Sequence, residues 1–241
     1  MDKLYDTTYD ERMENDDDND NSTNDIDNKI YQDTILSGKI HESLEDPVSQ
    51  TLYDISEVVS PILYAMGVTP NMITATRLLF VFSAAIYFFP NKYYRTTSIL
   101  FFLAYFGDCL DGHMARKYDM DTEFGDYFDH LADAVSLFLT LYIISAYIHP
   151  EFDWLVIILV LLTVLSLVQI GCEERYLQLM GVGKDSETLS GITGLCPKSA
   201  ISDTELEDLM EYSRLVGIGV TFLILVIIMW NFEYFENDVV V

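Results

Sequence analysis

Five apolar stretches, each near the ~20 residues needed to span a hydrocarbon core, constrain this chain more than anything else in it. They run approximately Met72–Phe89, Thr96–Arg116, Gly125–Tyr147, Trp154–Cys172 and Leu215–Phe232. The last two contain almost no polar side chains, so neither can be a surface helix of a water-soluble domain. The second and third are apolar at one end and carry carboxylates at the other. Pro90-Asn91 and His149-Pro150 mark two turns. Trp154, Tyr212, Trp230 and Tyr234 lie near segment ends, where amphipathic rings favour the headgroup level. The fold class expected is all-α, a polytopic transmembrane helix bundle with five clear spans.

Composition explains what lies outside the spans. Half of the 241 residues are hydrophobic, yet 39 acidic against 13 basic residues give a net charge of -26. The two properties sit in different segments: residues 1–46 hold 15 Asp/Glu and 4 Lys/Arg and few residues able to build a core. The run from Glu14 to Asp25 is too polar and too like-charged to repay its ordering entropy. Residues 1–40 are therefore expected to be a disordered acidic tail, and they lack the basic and apolar regions of a signal peptide. No basic stripe exists to neutralise phosphates, which excludes nucleic acid as a partner. Cys109, Cys172 and Cys196 form no CxxC pair, so a disulfide scaffold or thiolate zinc site is not expected; each reads as a small buried hydrophobe.

Between tail and first span, Leu44, Val48, Leu52, Ile55, Val59, Ile62, Leu63 and Met66 recur every three or four residues. That spacing predicts an amphipathic helix within residues 41–68, bent or interrupted near Pro61, resting in the membrane interface. The spans fall in residues 69–235, and 236–241 form a short tail. Between Glu173 and Arg214 the chain is polar and glycine-containing. Ser202-Asp203-Thr204-Glu205 reads as a capping box opening a helix that continues into the last span.

The chemistry is carried where the second and third spans meet. Asp108, Asp111, Gly112, Ala115 and Arg116 step by three or four and share one helical face. Gly125, Asp129 and Asp133 step by four on the next helix. The linker Lys117–Phe124 is short, so the helices are antiparallel and their carboxylate faces can oppose each other near one membrane surface. Four carboxylates so placed repel unless a cation holds them, and ionisable residues in spans are functional by default. One hard divalent cation, or a pair ~4 Å apart, would resolve the repulsion and act as a Lewis acid toward phosphate. Gly112 removes a side chain where something flat approaches, Ala115 keeps the surface low, and Arg116 offers a planar fork of donors. His113, His130, Asp126, Tyr118 and Phe124 read as packing, solvated or interface residues before site residues, whereas Glu173, Glu174 and Arg175 read equally as a surface charge cluster or as the border of the acceptor pocket.

The spacing D-x2-D-G-x2-A-R-x8-G-x3-D-x3-D is complete from Asp108 to Asp133, and it resembles the signature of the class-I CDP-alcohol phosphatidyltransferase family. Thr69-Pro70-Asn71-Met72-Ile73-Thr74, with Arg77 behind it, resembles that family's approach to its first span. The resemblance covers roughly residues 47–235. It implies an enzyme that moves a substituted phosphate group from a CDP-linked donor (CDP-diacylglycerol or CDP-choline/ethanolamine type) to an alcohol acceptor, releasing CMP. It implies Mg2+ or Mn2+, as two ions, on Asp108, Asp111 and Asp129, with Asp133 completing the site and taking the acceptor proton. A carboxylate committed to a metal is a weaker base, so Asp133 cannot fully serve both roles. Gly112, Ala115, Arg116 and Gly125 would receive the CDP-substrate. The family's six spans leave a weak sixth open in Gly181–Ala200. Partners implied are the CDP-linked lipid or alcohol, the acceptor and membrane lipid, with a homodimer left open. Arg116, Lys117, Arg175, Lys184 and Lys198 against Lys92 and Arg95 favour a cytoplasmic site face, with a cytoplasmic tail. Inositol, choline/ethanolamine, glycerol phosphate and serine all stand as acceptors. The rival readings are a catalytically silent scaffold of the same fold and a divalent-cation-binding membrane protein.

Overall fold

The computed structural model describes residues 44–179, 193–197 and 203–235, and every regular element among them is helical. The acidic tail expected at 1–40, the closing residues 236–241 and most of Gly181–Ala200 lie outside the described residues. Helix α1 spans Pro47–Ala65. Its cap is Asp46, whose Oδ1 accepts from the Val48 and Ser49 amides at 3.0 Å; Pro47 at the first position needs no donor. Of the bend or interruption expected near Pro61, the interruption does not occur: the helix runs through Pro61. Proline removes the amide that would bond the Glu57 carbonyl, and Lys117 Nζ approaches that carbonyl instead, at 3.4 Å.

The faces of α1 are also telling. Ser49, Leu52, Ser56 and Ser60 turn inward, while Ile55, Val58, Ile62 and Met66 are exposed. Small residues permit close helix approach, and the apolar ones are left for the surroundings.

Next come α2 (Pro70–Ser83), extended by a π-helical turn at Ala84–Phe88, then α3 (Tyr94–Lys117) and α4 (Glu123–Tyr147). They are followed by α5 (Asp153–Leu179), α6 (Asp203–Ser213) and α7 (Ile218–Trp230). Among the described residues four stretches are long and apolar enough to cross a membrane: Pro70–Phe88, Glu123–Tyr147, Pro150–Leu179 and Asp208–Trp230. The expected Thr96–Arg116 span lies within α3, which is helical throughout but not apolar enough to meet that standard. With their outer faces lined by residues such as Leu79, Ile86, Phe138, Ile157 and Leu161, these helices make an integral membrane protein.

Helices α2, α3 and α4 alternate in direction, so the bundle has two ends. At one, Phe89, Tyr94, Phe101, Ile144 and Phe232 are buried together. Phe89 meets Phe232 edge-on with ring centroids 4.7 Å apart. The other end gathers the C-terminus of α3 and the N-termini of α2 and α4.

One expectation fails near the second end. Cys172 and Cys196 are buried but not simple hydrophobes: they are disulfide-bonded, with Cα atoms 4.9 Å apart. The bridge joins α5 to a short 3-10 turn at Thr193–Leu195, a pairing across 24 residues that no local spacing announces. The helix α6 does run into the last span, Asp208–Trp230, with one irregularity on the way. A 3-10 turn at Arg214–Val216 and an extended Gly217 separate α6 from α7, and the Gly219 amide donates to Asp46 Oδ2 at 3.2 Å. A Cβ at Gly219 would lie 2.7 Å from Ser49 Oγ, so only glycine lets the start of α7 sit against the cap of α1.

Candidate functional site

Three helices deliver the site, and each does so by simple periodicity. On α3, Asp108 and Asp111 are three apart; on α4, Asp129 and Asp133 are four apart. Antiparallel packing at the short linker brings them together: one carboxylate oxygen each from Asp108, Asp111 and Asp129 lies within 4.8 Å of the others. Asp133 joins from the same side through a shared partner.

That partner is Arg77 of α2, only 4% exposed. Its Nη1 is 2.8 Å from Asp108 Oδ1 and 2.6 Å from Asp133 Oδ1. Its Nη2 pairs with the Asp129 carboxylate and reaches the Asp129 carbonyl at 3.2 Å. Its Nε lies 3.5 Å from Asp111 Oδ2. Thr74 Oγ1, one turn earlier, donates to the same Asp111 oxygen at 2.6 Å. Sequence reading placed Arg77 and Thr74 only in the approach to the first span. The signal that would have found them is the three-residue step Asn71, Thr74, Arg77, which puts all three on one face of α2.

Burial grades across the cluster. The carboxylates of Asp111, Asp108, Asp129 and Asp133 are 3%, 27%, 34% and 49% exposed. The site is deepest at Asp111 and opens toward Asp133. Asp111 Oδ1 is buried with no hydrogen-bond partner among the described residues, an orphaned acceptor of the kind a hard cation satisfies. All the donor atoms are oxygens, so the set fits Mg2+ or Mn2+ better than a soft metal.

The small residues do more specific work than expected. A Cβ at Gly112 would sit 3.4 Å from Arg116 Nη1, so the flat group lying against Gly112 is the guanidinium of Arg116. That guanidinium stands over the Tyr53 ring, 5.9 Å from its centroid. A Cβ at Gly125 would fall 2.9 Å from Thr122 Oγ1 and 3.0 Å from Asn71 Oδ1; glycine there lets α2 and α4 meet. Ala115 is partly exposed on the same α3 face.

Helix α1 braces this face. Glu57 pairs with His113 Nε2 at 3.0 Å and Lys117 Nζ at 2.5 Å. The Lys117 hydrogen bond holds the Glu57 carboxyl below its ordinary range. Tyr118 stacks on Tyr64 at 4.0 Å, and Phe124 on Phe128 at 5.7 Å. His130 Nδ1 lies 2.6 Å from the carbonyl of Asp126 on its own helix. Glu173 accepts from Gln169, and Arg175 donates to the Pro197 carbonyl.

The model of the CDP-alcohol phosphatidyltransferase family matches residues 67–190. The chain is 36% identical over 66 residues to CDP-diacylglycerol–glycerol-3-phosphate 3-phosphatidyltransferases of Rickettsia typhi and Rickettsia prowazekii. That stretch is 27% of this chain and 37% and 36% of those relatives, so it spans little more than a third of their length. No solved structure matches the chain.

Proposed function

This chain belongs to the CDP-alcohol phosphatidyltransferase family, and from that premise we propose that it makes a phospholipid by transferring a substituted phosphate group from a CDP-linked donor to an alcohol. The bond formed joins the acceptor oxygen to the donor's distal phosphorus; the bond broken is that phosphorus to the bridging oxygen, and CMP leaves. The relatives' names make CDP-diacylglycerol the first donor to test and glycerol 3-phosphate the first acceptor.

The observation that carries the reading is the meeting of Asp108, Asp111 and Asp129 around the orphaned Asp111 oxygen. These three are the ligands of divalent cations in this reading, and Asp133 adds a fourth carboxylate. Bound there, the cations supply Lewis acidity toward the diphosphate and offset its charge. Asp133, the most exposed of the four, takes the proton of the acceptor hydroxyl. Arg116 holds the diphosphate as a planar donor fork, over the low surface of Gly112 and Ala115. Gly125 keeps α2 and α4 close enough to shape the nucleotide pocket.

For the membrane, α3 makes a fifth span. Its 24 residues rise roughly 36 Å, more than the hydrocarbon thickness, and most of its charges lie toward its ends. The exposed apolar side chains of α1 suit a helix lying in the interface. The charge pattern favours a cytoplasmic site face, although the disulfide on that side is of a kind usually found in oxidising compartments. Thiol labelling from either side of sealed vesicles after reduction decides the orientation.

The decisive assay incubates purified protein with labelled CDP-diacylglycerol or CDP-choline, a panel of acceptors and Mg2+ or Mn2+. Acceptor-dependent CMP release, lost in EDTA and restored by cation, supports the reading. No release with any pair, from protein that still binds cation, replaces it with a silent cation-binding membrane protein. Full turnover in chelator removes the metal from the mechanism.

A further inference from the structure

Arg77 is the residue whose role the family signature from Asp108 to Asp133 does not contain. It sits on a different helix from every carboxylate, it is nearly sealed from water, and it faces four of them. With all four ionised, one guanidinium leaves the cluster three charges short of neutral. A guanidinium keeps its proton under any condition the protein meets, so this positive charge is permanent. It takes Oδ1 of Asp108, Asp129 and Asp133, and the Asp108 and Asp133 carboxyls also hydrogen-bond each other. At Asp111 it approaches Oδ2 together with Thr74, and Oδ1 is left buried without a partner. Arg77 thus meets one oxygen of each carboxylate, and the deepest carboxylate keeps its other oxygen without a partner.

We propose that Arg77 is a built-in counter-cation that shares the four carboxylates with divalent ions and sets how tightly those ions bind. It is a positioning residue, since it acts through the carboxylates. The proposal rests on the reading that these carboxylates hold divalent cations. Two consequences separate it from a simple structural pin. A permanent charge 2.6–3.5 Å from the carboxylate oxygens must oppose a second cation at the same groups, so the cost of Arg77 is weaker ion binding. Its benefit is a cluster that does not depend on bound cation to offset its repulsion. Arginine therefore trades affinity for a site that holds together while ions and nucleotide come and go.

The test uses the full chain in phosphatidylcholine nanodiscs, as wild type, Arg77→Gln and Arg77→Lys. Mn2+ binding is followed by paramagnetic resonance of the free ion, and thermal unfolding is recorded in EDTA and in saturating Mn2+. Arg77→Gln should bind Mn2+ about tenfold more tightly or better, because an opposing charge at short range is gone. It should unfold at lower temperature than wild type in EDTA, and Mn2+ should close most of that gap. Arg77→Lys, keeping the charge but contacting fewer carboxylates, should fall between the two in affinity. If Arg77→Gln does not fold, Arg77→Lys decides: tighter binding than wild type supports the proposal, and equal or weaker binding overturns it. Unchanged or weaker affinity in Arg77→Gln, with the same loss of stability in EDTA and Mn2+, overturns it in favour of a structural pin. If wild type itself binds no Mn2+, the metal reading falls and this proposal falls with it. That case is recognised because Mn2+ then shifts no variant's unfolding temperature.

Discussion

The two ends of the bundle are made by the same helices and held by opposite physics. Helices α2, α3 and α4 each have one terminus in the aromatic end and one in the carboxylate end. At the first, Phe89, Tyr94 and Phe232 pack with ring centroids 4.7–5.3 Å apart, and burial itself supplies the stability. At the second, one arginine stands among four aspartates. Removing such charges from water costs several kcal/mol each before any attraction offsets it. A chain seeking only stability would fill both ends like the first. The carboxylate end is tolerated because of what it can do, and the aromatic end makes it tolerable. Stability and chemistry are separated along the helix axis.

The contrast can be broken most directly from the apolar side. Phe89 is fully buried, and Phe89→Ala should cost about 3–5 kcal/mol as transfer and cavity terms combine, read by denaturant unfolding in mixed micelles. CMP release per folded molecule should stay within about twofold of wild type, since no carboxylate contact changes. A fall in turnover far beyond that would show the two ends to be coupled.

The reciprocal change comes next in size. Asp133→Asn keeps shape and one oxygen acceptor but cannot take a proton. Turnover should drop ~100-fold, the scale of a lost general base and worth about 2.7 kcal/mol of barrier. Stability should hold, because one of four mutually repelling charges is gone. Asp108→Asn and Asp111→Asn should instead lose Mn2+ affinity first, with part of their activity returning at high cation concentration. Rescue of Asp133→Asn by cation would make Asp133 another ligand and erase the division of roles.

What could be read from the chain follows the same divide. Four of the five apolar spans and the i, i+3, i+4 spacing of Asp108 to Asp133 are local patterns that reappear in the helices of the structure. What escaped is long-range. Arg77 acts from 31 to 56 residues away, and its three-residue step from Asn71 and Thr74 is visible only once a destination is known. The Cys172–Cys196 bridge depends on a fold-back that no spacing reveals. Pro61 reads locally as a break, yet Lys117 of another helix satisfies the carbonyl it strands. Gly217 and Gly219 shape the start of α7 because Asp46 from the far end of the chain caps it.

A smaller effect probes the seam between the helices that bear the site. In Gly125→Ala the new methyl would crowd Thr122 Oγ1 and Asn71 Oδ1, and the Thr122 cap on the Gly125 amide, 3.0 Å long, would have to open. Both neighbours are side-chain tips that can turn aside, so the cost should be about 1 kcal/mol, the scale of one lost N-cap. Because α2 and α4 separate slightly, KM for the CDP-substrate should rise more than kcat falls. A stability loss as large as that of Phe89→Ala would mean the site end is packed as tightly as the aromatic end.

The smallest effect lies where α1 braces the site, at Glu57. Lys117, with His113 beside it, holds the Glu57 carboxyl below its ordinary range. A depressed folded value means that the stabilising contribution is present above the unfolded pKa, about 4.3. It is lost as pH falls through the lower folded value. Glu57 is largely exposed, so the contribution should not exceed ~1 kcal/mol and should shrink with salt. The measurement is the difference in unfolding free energy between wild type and Glu57→Gln. It should be small near pH 5, where the carboxylate is still ionised, then close as the carboxylate protonates. The aromatic end carries no such dependence, so Phe89→Ala should keep its penalty across the same range. A Glu57 difference that widened as the pH fell below about 4 would reverse the sign of the linkage and remove Lys117 as its cause.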